Sequence, residues 1–523
     1  MGNGEDRMKM WKKASSAIVS TCTEGKRFLF PWVALVLVFG VVVARVLAES
    51  PEQWYRDGRE AVAQAKQTEP ITGKAKNVIL FLGDGMSVTT VAAARILEGQ
   101  QCGQTGEENL LSFEKLPYTA LIKTYNTDAQ TPDSAGTMTA IVTGVKTRIG
   151  FLSVNQNAVR GDHASAKGNE ATTILELAEK AGLATGVVTT TSITHATPAA
   201  CYAHSPDREW EDDSLLPEAA KQAGFPDLAR QLVEFSIGDG LEVALGGGRA
   251  NFLPKSATDP EYDEQTGRRA DGRDLTAEWS KKADSAFVWN KTQFDAIDPA
   301  KTRHLLGLFE PSHVRYEHDR AGDKAGEPSL REMTAKAIDI LAKNDQGFFL
   351  MVEGGRIDHA HHECNAYRAL TETIEFARAV GAAQQKTNRR DTLIVVTADH
   401  SQVFTMAGYP TRGNPILGKV TDCEAVGDAK GKLARDLKGL PFTTLGYANG
   451  PGYVGSAGRF DLTDVATDDP NYKQETTIPL VFETHSGEDV PLYADGPQAY
   501  LFHGVLEQNV IFHVMADALG LAR

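Results

Sequence analysis

Short apolar runs alternate with segments of helical periodicity along most of the chain. The apolar runs cover residues 77–85, 118–126, 241–248, 347–355 and 391–401, and helical segments cover 86–99, 134–145, 329–344 and 367–385. Residues 171–192 contain a further helix, a turn and a strand. Strands without polar alternation are buried on both faces, and regular βα alternation is typical of a parallel sheet. The pattern predicts an α/β fold with a mostly parallel central sheet and helices on both faces.

Three stretches depart from this rhythm. Residues 51–68 have the polar character of an exposed helix. Residues 250–330 are polar and rich in Pro, Asp and Glu, and residues 401–484 are rich in Gly, Pro and Thr with few helical signals. We interpret the two longer stretches as insertions or small subdomains.

The longest apolar run, residues 28–44, lies near the N-terminus behind a basic flank that includes Lys26 and Arg27. A basic flank followed by an apolar core is typical of an export signal, and the run is also just long enough to span a bilayer. We expect residues 1–48 to be a cleaved signal peptide, with a retained N-terminal membrane anchor as the alternative. Residues 49–523 would then form the exported domain.

The composition is that of a globular protein. The 523 residues are 41% hydrophobic and 24% charged, with a formal net charge of −15. Binding to nucleic acid without sequence preference rests on Lys and Arg against phosphate, so this charge argues against it. Outside the predicted signal, the Cys residues could form two disulfides in any of three connectivities or remain as buried free thiols; they are Cys102, Cys201, Cys364 and Cys423.

Polar residues follow five of the predicted strands. Ligands bind outside the carboxyl ends of the strands in an open α/β sheet. In chain order these residues are Asp84, Asp133, Ser134, His195, Thr197, Glu353, Asp358, His359, His361, His362, Asp399 and His400. One such strand end would be weak evidence, but five bring carboxylates, imidazoles and a hydroxyl to one rim and predict one polar site.

The residue types at this rim are those of metal ligands. His with carboxylate suits zinc, and carboxylate with hydroxyl and water suits magnesium. Asp358 and His362 are four residues apart and would face the same way on a helix. The residues after His362 do not match an HExxH protease, and the segment 83–87 lacks the spacing of a dinucleotide or Walker loop.

Ser134 opens a predicted helix, where backbone N–H groups favour an anion. Taken alone, the segment 131–134 would be explained by an ordinary helix N-cap. With metal ligands on neighbouring strand ends, a metal-activated serine nucleophile is the better interpretation.

Six stretches together resemble the alkaline phosphatases, and the animal type more than the enteric bacterial type. In chain order they are NVILFLGDGMS, TPDSAGTMTA, THATPAACYAHSPDREW, FFLMVEGGRIDHAHHECNAYRALTET, TLIVVTADHSQVF and ETHSGEDVPLYADGPQAYLFHG. The resemblance extends from about residue 50 to the C-terminus, and its combination of motifs is highly specific.

The resemblance implies a role for each matching residue. Ser134 would be the nucleophile that becomes phosphorylated. Arg208 would bind two phosphate oxygens, and Asp133 would orient Arg208. His195 would contact the residues of the site without itself binding an ion. One zinc ion would be held by Asp358, His362 and His485, the second by Asp84, Asp399 and His400 together with Ser134, and a magnesium ion by Asp84, Thr197 and Glu353. A calcium ion would be held by Glu261, the carbonyl of Phe309, Glu310 and Glu327, the last standing where the family usually has Asp.

The resemblance also implies the activity and the assembly. The enzyme would hydrolyse phosphate monoesters with broad specificity through a phosphoserine intermediate, releasing inorganic phosphate at alkaline pH. Residues 401–484 would correspond to a crown at a homodimer interface, and residues 51–68 to a helix that embraces the second subunit. The protein would act outside the cytoplasmic membrane and contact a membrane only through an uncleaved N-terminal segment.

Two alternatives compete with this interpretation. A phosphodiesterase or sulfatase of the same superfamily would need a different site, since sulfatases use a modifiable Cys where this chain has Ser134. A non-catalytic surface protein would have lost some of the ligands, and none is missing here. We expect four histidines to be structural or to contact the ligands rather than to bind an ion, namely His204, His359, His361 and His503.

Overall fold

The computed structural model describes residues 50–423, 431–455 and 458–521. The predicted export segment 1–48 lies outside these residues. Within the described part of the chain, no helix combines the length and the apolar character needed to cross a lipid bilayer.

Helices and strands alternate through the described residues. The α-helices are α1 (Pro51–Ala65), α2 (Val88–Gln101), α3 (Ser134–Thr143), α4 (Ile174–Lys180), α5 (Ala196–Tyr202), α6 (Glu218–Gln222), α7 (Leu228–Val233), α8 (Leu275–Trp279), α9 (Lys291–Ala296), α10 (Leu330–Leu341), α11 (Arg356–His362), α12 (Ala366–Lys386) and α13 (Val510–Leu519). The strands are β1 (Asn77–Gly83), β2 (Tyr118–Lys123), β3 (Ala184–Ser192), β4 (Val243–Gly247), β5 (Ser285–Val288), β6 (His304–Leu308), β7 (Phe348–Gly354), β8 (Thr392–Thr397), β9 (Ser401–Gln402), β10 (Phe404–Met406), β11 (Leu445–Gly450), β12 (Thr476–Pro479), β13 (His485–Ser486), β14 (Val490–Asp495) and β15 (Val505–Glu507).

A large sheet forms the centre of the fold. Its strands lie in the order β15-β2-β14-β8-β1-β7-β3-β4-β6-β5. β14 runs antiparallel to both neighbours, and the other pairings are parallel. Helices pack around the sheet in two groups, with α2, α10 and α12 in one and α3, α4, α5 and α13 in the other. The predicted fold class is confirmed.

The middle strands β8, β1, β7 and β3 are buried almost throughout because their residues are apolar or small on both faces. Their parallel register places Leu82 beside Glu353 and Thr397, and Thr189 beside Glu353. The carboxyl ends of these strands are therefore level, and the residues that follow them meet at one edge of the sheet.

The stretch 250–330 is not an insertion throughout, as its polar composition suggested. It contains β5 and β6, which extend the central sheet beyond β4: Leu305 of β6 pairs with Val243 of β4 and with Ala286 of β5. The strand signal is weak because β6 has only five residues and lies among polar ones.

The stretch 401–484 forms structure outside the central sheet. β10, β11 and β12 make a sheet of their own, and β9 pairs with β13, which joins Ser401 and Gln402 to Ser486 and His485. Its described residues contain no helix, in line with the sequence pattern. The identity of this region as a dimer crown stays a prediction.

The helix predicted at 51–68 is present as α1, which belongs to a different unit of the chain from the described residues after Gln67. Ser50 caps it by accepting a hydrogen bond from the N–H of Gln53, and Pro51 occupies the first turn. None of its residues is buried, and Trp54, Tyr55 and Val62 are more than half exposed. Its contact with a second subunit stays a prediction.

The four described cysteines are free, which matches the second of the two alternatives left open by the sequence. Cys201 and Cys364 are buried thiols, as the alternative predicted, whereas Cys102 and Cys423 are exposed.

Gly347, which leads into β7, requires the absence of a side chain. Its φ is 103°, in the left-handed region, and a Cβ atom would lie 1.9 Å from the backbone oxygen of Lys76. Gly182 has a φ of 78° with open space around it. Of these two glycines, only Gly347 therefore combines backbone strain with a clash against rigid backbone.

We expect Gly347→Ala to lower the free energy of unfolding clearly more than Gly182→Ala. Both substitutions place an alanine in the left-handed backbone region, which costs roughly 1 kcal/mol of stability. Only Gly347→Ala must in addition displace the chain that precedes β1. Urea unfolding of the two purified variants checks this, and equal losses would contradict it.

Candidate functional site

The polar residues predicted at the rim do meet at the carboxyl ends of the middle strands. Asp84 follows β1, and Asp399 and His400 follow β8. Glu353 is the second-last residue of β7, just before α11. Thr197 lies in the first turn of α5, just after β3. The level strand ends thus bring residues more than 300 positions apart in sequence to one place.

Ser134 begins α3, a helix whose residues are all buried. The N-cap of this helix is Asp133, whose side chain accepts from the N–H of Gly136 at 3.0 Å. Capping is thus performed by Asp133, and the Oγ of Ser134 lies 3.2 Å from His400 Nε2. The same nitrogen lies 3.3 Å from an oxygen of Asp84 and 3.3 Å from an oxygen of Asp399. These donor atoms surround one point.

Backbone carbonyls orient three imidazoles at the rim. A carbonyl only accepts, so each Nδ1 bonded to one carries the proton, and the Nε2 lone pair is directed into the site. The pairs are His485 with Pro132 (2.8 Å), His362 with Glu483 (2.6 Å) and His400 with Ser401 (3.3 Å). This is the tautomer that a metal ligand needs.

A second group consists of Asp358 and His362, both on α11, and His485 of β13. One oxygen of Asp358 lies 3.2 Å from His362 Nε2 and 3.4 Å from His485 Nε2, and the two nitrogens are 3.2 Å apart. Two lone pairs facing each other at this distance repel unless positive charge lies between them. Burial opposes protonation, yet Asp358 raises the pKa of His362 to about 11. A proton is favoured where a metal cation would also fit.

A third group lies between β1, β7 and the start of α5. Asp84, His195 and Glu353 offer donor atoms within 4.8 Å of one another. Glu353 Oε2 accepts from the hydroxyls of Thr189 and Thr191, whereas its Oε1 and the hydroxyl of Thr197 are buried without a hydrogen-bond partner. Burial raises the pKa of Glu353 to about 7.

Arg208 lies between two residues of the predicted site. Its Nη1 donates to Asp133 at 3.1 Å, and its Nη2 lies 3.1 Å from His195 Nε2. A guanidinium only donates, so His195 Nε2 is the acceptor in this contact. Asp133 and His195 together fix the plane of the Arg208 side chain.

The carboxylates of the rim carry more negative charge than the protein groups around them balance. Asp84, Glu353, Asp358 and Asp399 are all buried. Both oxygens of Asp84 lack a hydrogen-bond partner, and burial together with the other three carboxylates raises its pKa well above its usual range. Buried, unpartnered carboxylate oxygens next to oriented imidazoles fit divalent cations, and the residues match zinc and magnesium ligand sets.

Two residues that the sequence did not single out contact the second group. Gln402 Nε2 donates to Asp358, and Gln402 is fully buried. The backbone oxygen of Glu483 orients His362, and the Glu483 side chain accepts from the N–H of Val403 at 2.7 Å. Gln402 lies two residues after His400, and Glu483 lies two residues before His485. This closeness in sequence to predicted ligands could have indicated both residues.

The four histidines not expected to bind an ion lie outside the three groups. His204 pairs with Glu176 at 3.0 Å, and His361 bonds to Thr90 and Tyr447. His359 contacts Arg356, and His503 is exposed.

Of the acidic residues predicted to bind calcium, Glu261 and Glu310 lie close together, and Asp323 joins them. Glu261, Glu310 and Asp323 offer oxygens within 4.8 Å of one another, and Asp323 was missed because the intervening sequence is irregular. Glu327 is buried, and burial followed by the charge of Glu310 raises its pKa to about 9. Arg315 contacts Glu310 and Asp323 at 3.1 Å, so a guanidinium already balances part of this charge.

Comparison with known proteins decides the family. The family model described as alkaline phosphatase matches residues 75–521. The chain belongs to the alkaline phosphatase family. The tissue-nonspecific alkaline phosphatase of Gallus gallus is 47% identical over 502 residues, covering 94% of this chain and 93% of the relative. The same isozyme of Homo sapiens is 46% identical, covering 92% of each.

Solved bacterial structures of the family share the fold. The alkaline phosphatase of Thermus thermophilus is 26% identical with a TM-score of 0.61, covering 88% of this chain and 94% of its own. That of the Antarctic bacterium TAB5 is 23% identical with a TM-score of 0.58, covering 86% and 100%. The expected resemblance to the animal type is confirmed, and the chain is a phosphoric monoester hydrolase.

Asp84→Asn should have opposite effects on stability with and without metal ions. The raised pKa of Asp84 means that the folded state holds this proton more tightly than the unfolded state, so stability falls as pH rises from 3.8 through the folded pKa. At pH 8 without cations, Asp84 is destabilising. In chelator we expect Asp84→Asn to be more stable than the wild type by about 1–3 kcal/mol and so to unfold at a higher temperature. With zinc and magnesium we expect it to unfold at a lower temperature than the wild type.

Thermal unfolding in the two buffers checks this. The exposed Asp345 provides the control, because Asp345→Asn should shift neither curve. A lower melting temperature for Asp84→Asn in chelator would contradict the charge argument.

Proposed function

We propose that the chain hydrolyses phosphate monoesters of varied alcohols through a phosphoserine intermediate at Ser134, with two zinc ions and one magnesium ion, at alkaline pH. The observation that carries this proposal is the position of the Ser134 hydroxyl, 3.2 Å from His400 Nε2 and among the carboxylates of Asp84 and Asp399. Because Asp133 caps α3, the Ser134 hydroxyl is not needed as the helix cap. A serine hydroxyl among metal ligands is the arrangement expected of a metal-activated nucleophile.

The three groups of donor atoms correspond to three ion positions. Asp358, His362 and His485 would hold one zinc ion; Asp84, Asp399 and His400, with Ser134, the second; and Asp84, Thr197 and Glu353 the magnesium ion. When bound, such ions lower the pKa of a hydroxyl or water nucleophile and neutralise charge on the attacking and leaving oxygens.

Ser134 would attack phosphorus, forming the Oγ–P bond while the bond from phosphorus to the alcohol oxygen breaks and the alcohol leaves protonated. The N-terminal turn of α3 favours the negative charge of the phosphoryl group. Attack by water would then break the Oγ–P bond, restoring the serine and releasing inorganic phosphate.

Arg208 would hold two phosphoryl oxygens through its planar fork, which Lys could not reproduce. Asp133 and His195 hold the guanidinium at 3.1 Å each and so limit its rotation. Because these contacts go to the phosphoryl group rather than to the alcohol, the range of accepted alcohols should be broad.

A calcium ion at the acidic group is the further expectation for this family. Glu261, the carbonyl of Phe309, Glu310 and Glu327 would supply its ligands, and the closeness of Asp323 to Glu261 and Glu310 favours Asp323 as a further ligand. We also propose export from the cytoplasm, because of the basic flank and apolar run near the N-terminus, and assembly as a homodimer, because of the family resemblance.

The proposal is tested by hydrolysis of p-nitrophenyl phosphate by the full-length protein at alkaline pH. We expect turnover with zinc and magnesium, loss of turnover in chelator, and a loss of at least about a thousandfold in Ser134→Ala. Ser280→Ala is the control. Ser280 is the C-cap residue of α8, which contributes no residue to the site, and its hydroxyl donates to the backbone oxygen of Thr276.

Bis-p-nitrophenyl phosphate distinguishes the main alternative. Faster cleavage of this diester than of the monoester by the metal-loaded enzyme would favour a phosphodiesterase. Undiminished turnover in Ser134→Ala would overturn the phosphoserine intermediate.

A further inference from the structure

The segment that carries Arg208 has no helix or strand to hold it. Arg208 lies in the irregular chain between α5 and α6, and its backbone N–H donates to the oxygen of Gly150 at 3.0 Å. Two residues later Trp210 is buried, and its ring packs edge-on against Phe225 with centroids 5.4 Å apart. These contacts anchor the backbone of the segment, and Gly150, whose N–H donates to Asp133 at 2.9 Å, connects it to the start of α3, but none of them ties it to the end of β3.

Glu211 makes that connection. Its Oε2 accepts three hydrogen bonds, from Ser192 Oγ at 2.9 Å, Thr194 Oγ1 at 2.5 Å and Asn251 Nδ2 at 3.0 Å. Ser192 is the last residue of β3, and all three donors are buried. The carboxylate therefore joins the Arg208 segment to the end of β3 and to the short 3-10 helix Arg249–Asn251 that follows β4.

These contacts close a loop around the Arg208 side chain. Arg208 Nη2 donates to His195, and Thr194, next to His195 in sequence, donates to Glu211. Glu211 lies only three residues after Arg208. The separation between Arg208 and His195 is thus set from both sides, by the direct contact and by the Glu211 carboxylate.

We propose that Glu211 is a positioning residue that keeps the Arg208 side chain where it can contact the phosphoryl group. The inference rests on the proposed role of Arg208 and adds the group that sets its position. A carboxylate suits this place because its oxygens only accept hydrogen bonds and, being charged, accept them more strongly than the carbonyl oxygen of an amide would. Since Asp133 still holds Nη1 when Glu211 is removed, the loss should be smaller than that caused by removing Arg208.

The test measures competitive inhibition by inorganic phosphate together with the KM for p-nitrophenyl phosphate in the full-length, metal-loaded enzyme. We expect Glu211→Ala to raise both constants about tenfold, corresponding to ~1.4 kcal/mol of lost binding. Glu209→Ala is the matched control: Glu209 lies in the same segment, its side chain is 72% exposed and it is 3.8 Å from Arg208. We expect a change below about twofold, because the Glu209 side chain lies mostly in solvent and its contact with Arg208 is long.

A double-mutant cycle separates positioning from a merely structural role. In the Arg208→Ala background, Glu211→Ala should leave the phosphate inhibition constant unchanged. A further tenfold rise there would overturn the proposal, because Glu211 would be acting through something other than Arg208. If Glu211→Ala does not fold, Glu211→Gln is measured in the same way, with a smaller rise expected.

The single variants distinguish a failure of the positioning role of Glu211 from a failure of the role proposed for Arg208. If Arg208→Ala weakens phosphate binding and the folded Glu211 variants do not, the positioning role is wrong and the proposed function stands. If Arg208→Ala leaves phosphate binding unchanged, the role proposed for Arg208 falls and the positioning role falls with it.

Discussion

The close approach of four buried carboxylates is the constraint on which the rest of this structure depends. Asp84, Glu353, Asp358 and Asp399 lie at one edge of the central sheet, and burial removes the water that would screen their repulsion. Such a group persists only with protons or cations among its oxygens. The backbone carbonyls that turn three imidazole lone pairs inward, and the helix start that presents Ser134, are arranged around that requirement.

Much of this arrangement could be predicted from sequence because parallel strands end level with one another. Apolar runs located β1, β3, β7 and β8, and the polar residues after each run had to meet at one edge. The same reasoning identified Asp84, Glu353 and Asp399 from their positions alone. His485 could not be found in this way, since it reaches the site through the pairing of two short strands, β13 and β9. Only the family resemblance indicated it.

The contacts that lie between distant segments were beyond pattern reasoning. Gln402 donates to Asp358, and Glu211 accepts from Ser192, because segments distant in sequence fold back on one another, and neither contact has a periodic signal. The strand β6 was hidden for a different reason, because five residues among polar neighbours do not reveal a period. The sequence thus predicts which residues surround the reacting atoms better than it predicts what holds them there.

The most direct test of the central claim is to find the residue that becomes phosphorylated. The full-length enzyme would be mixed with a labelled phosphate monoester, quenched in acid within the first turnover, digested and analysed by mass spectrometry. We predict phosphate on Ser134 in the zinc- and magnesium-loaded enzyme and none after chelation, because the hydroxyl lies among the ligand atoms of Asp84, Asp399 and His400. Label on another residue, or label on Ser134 that survives chelation, would contradict the account.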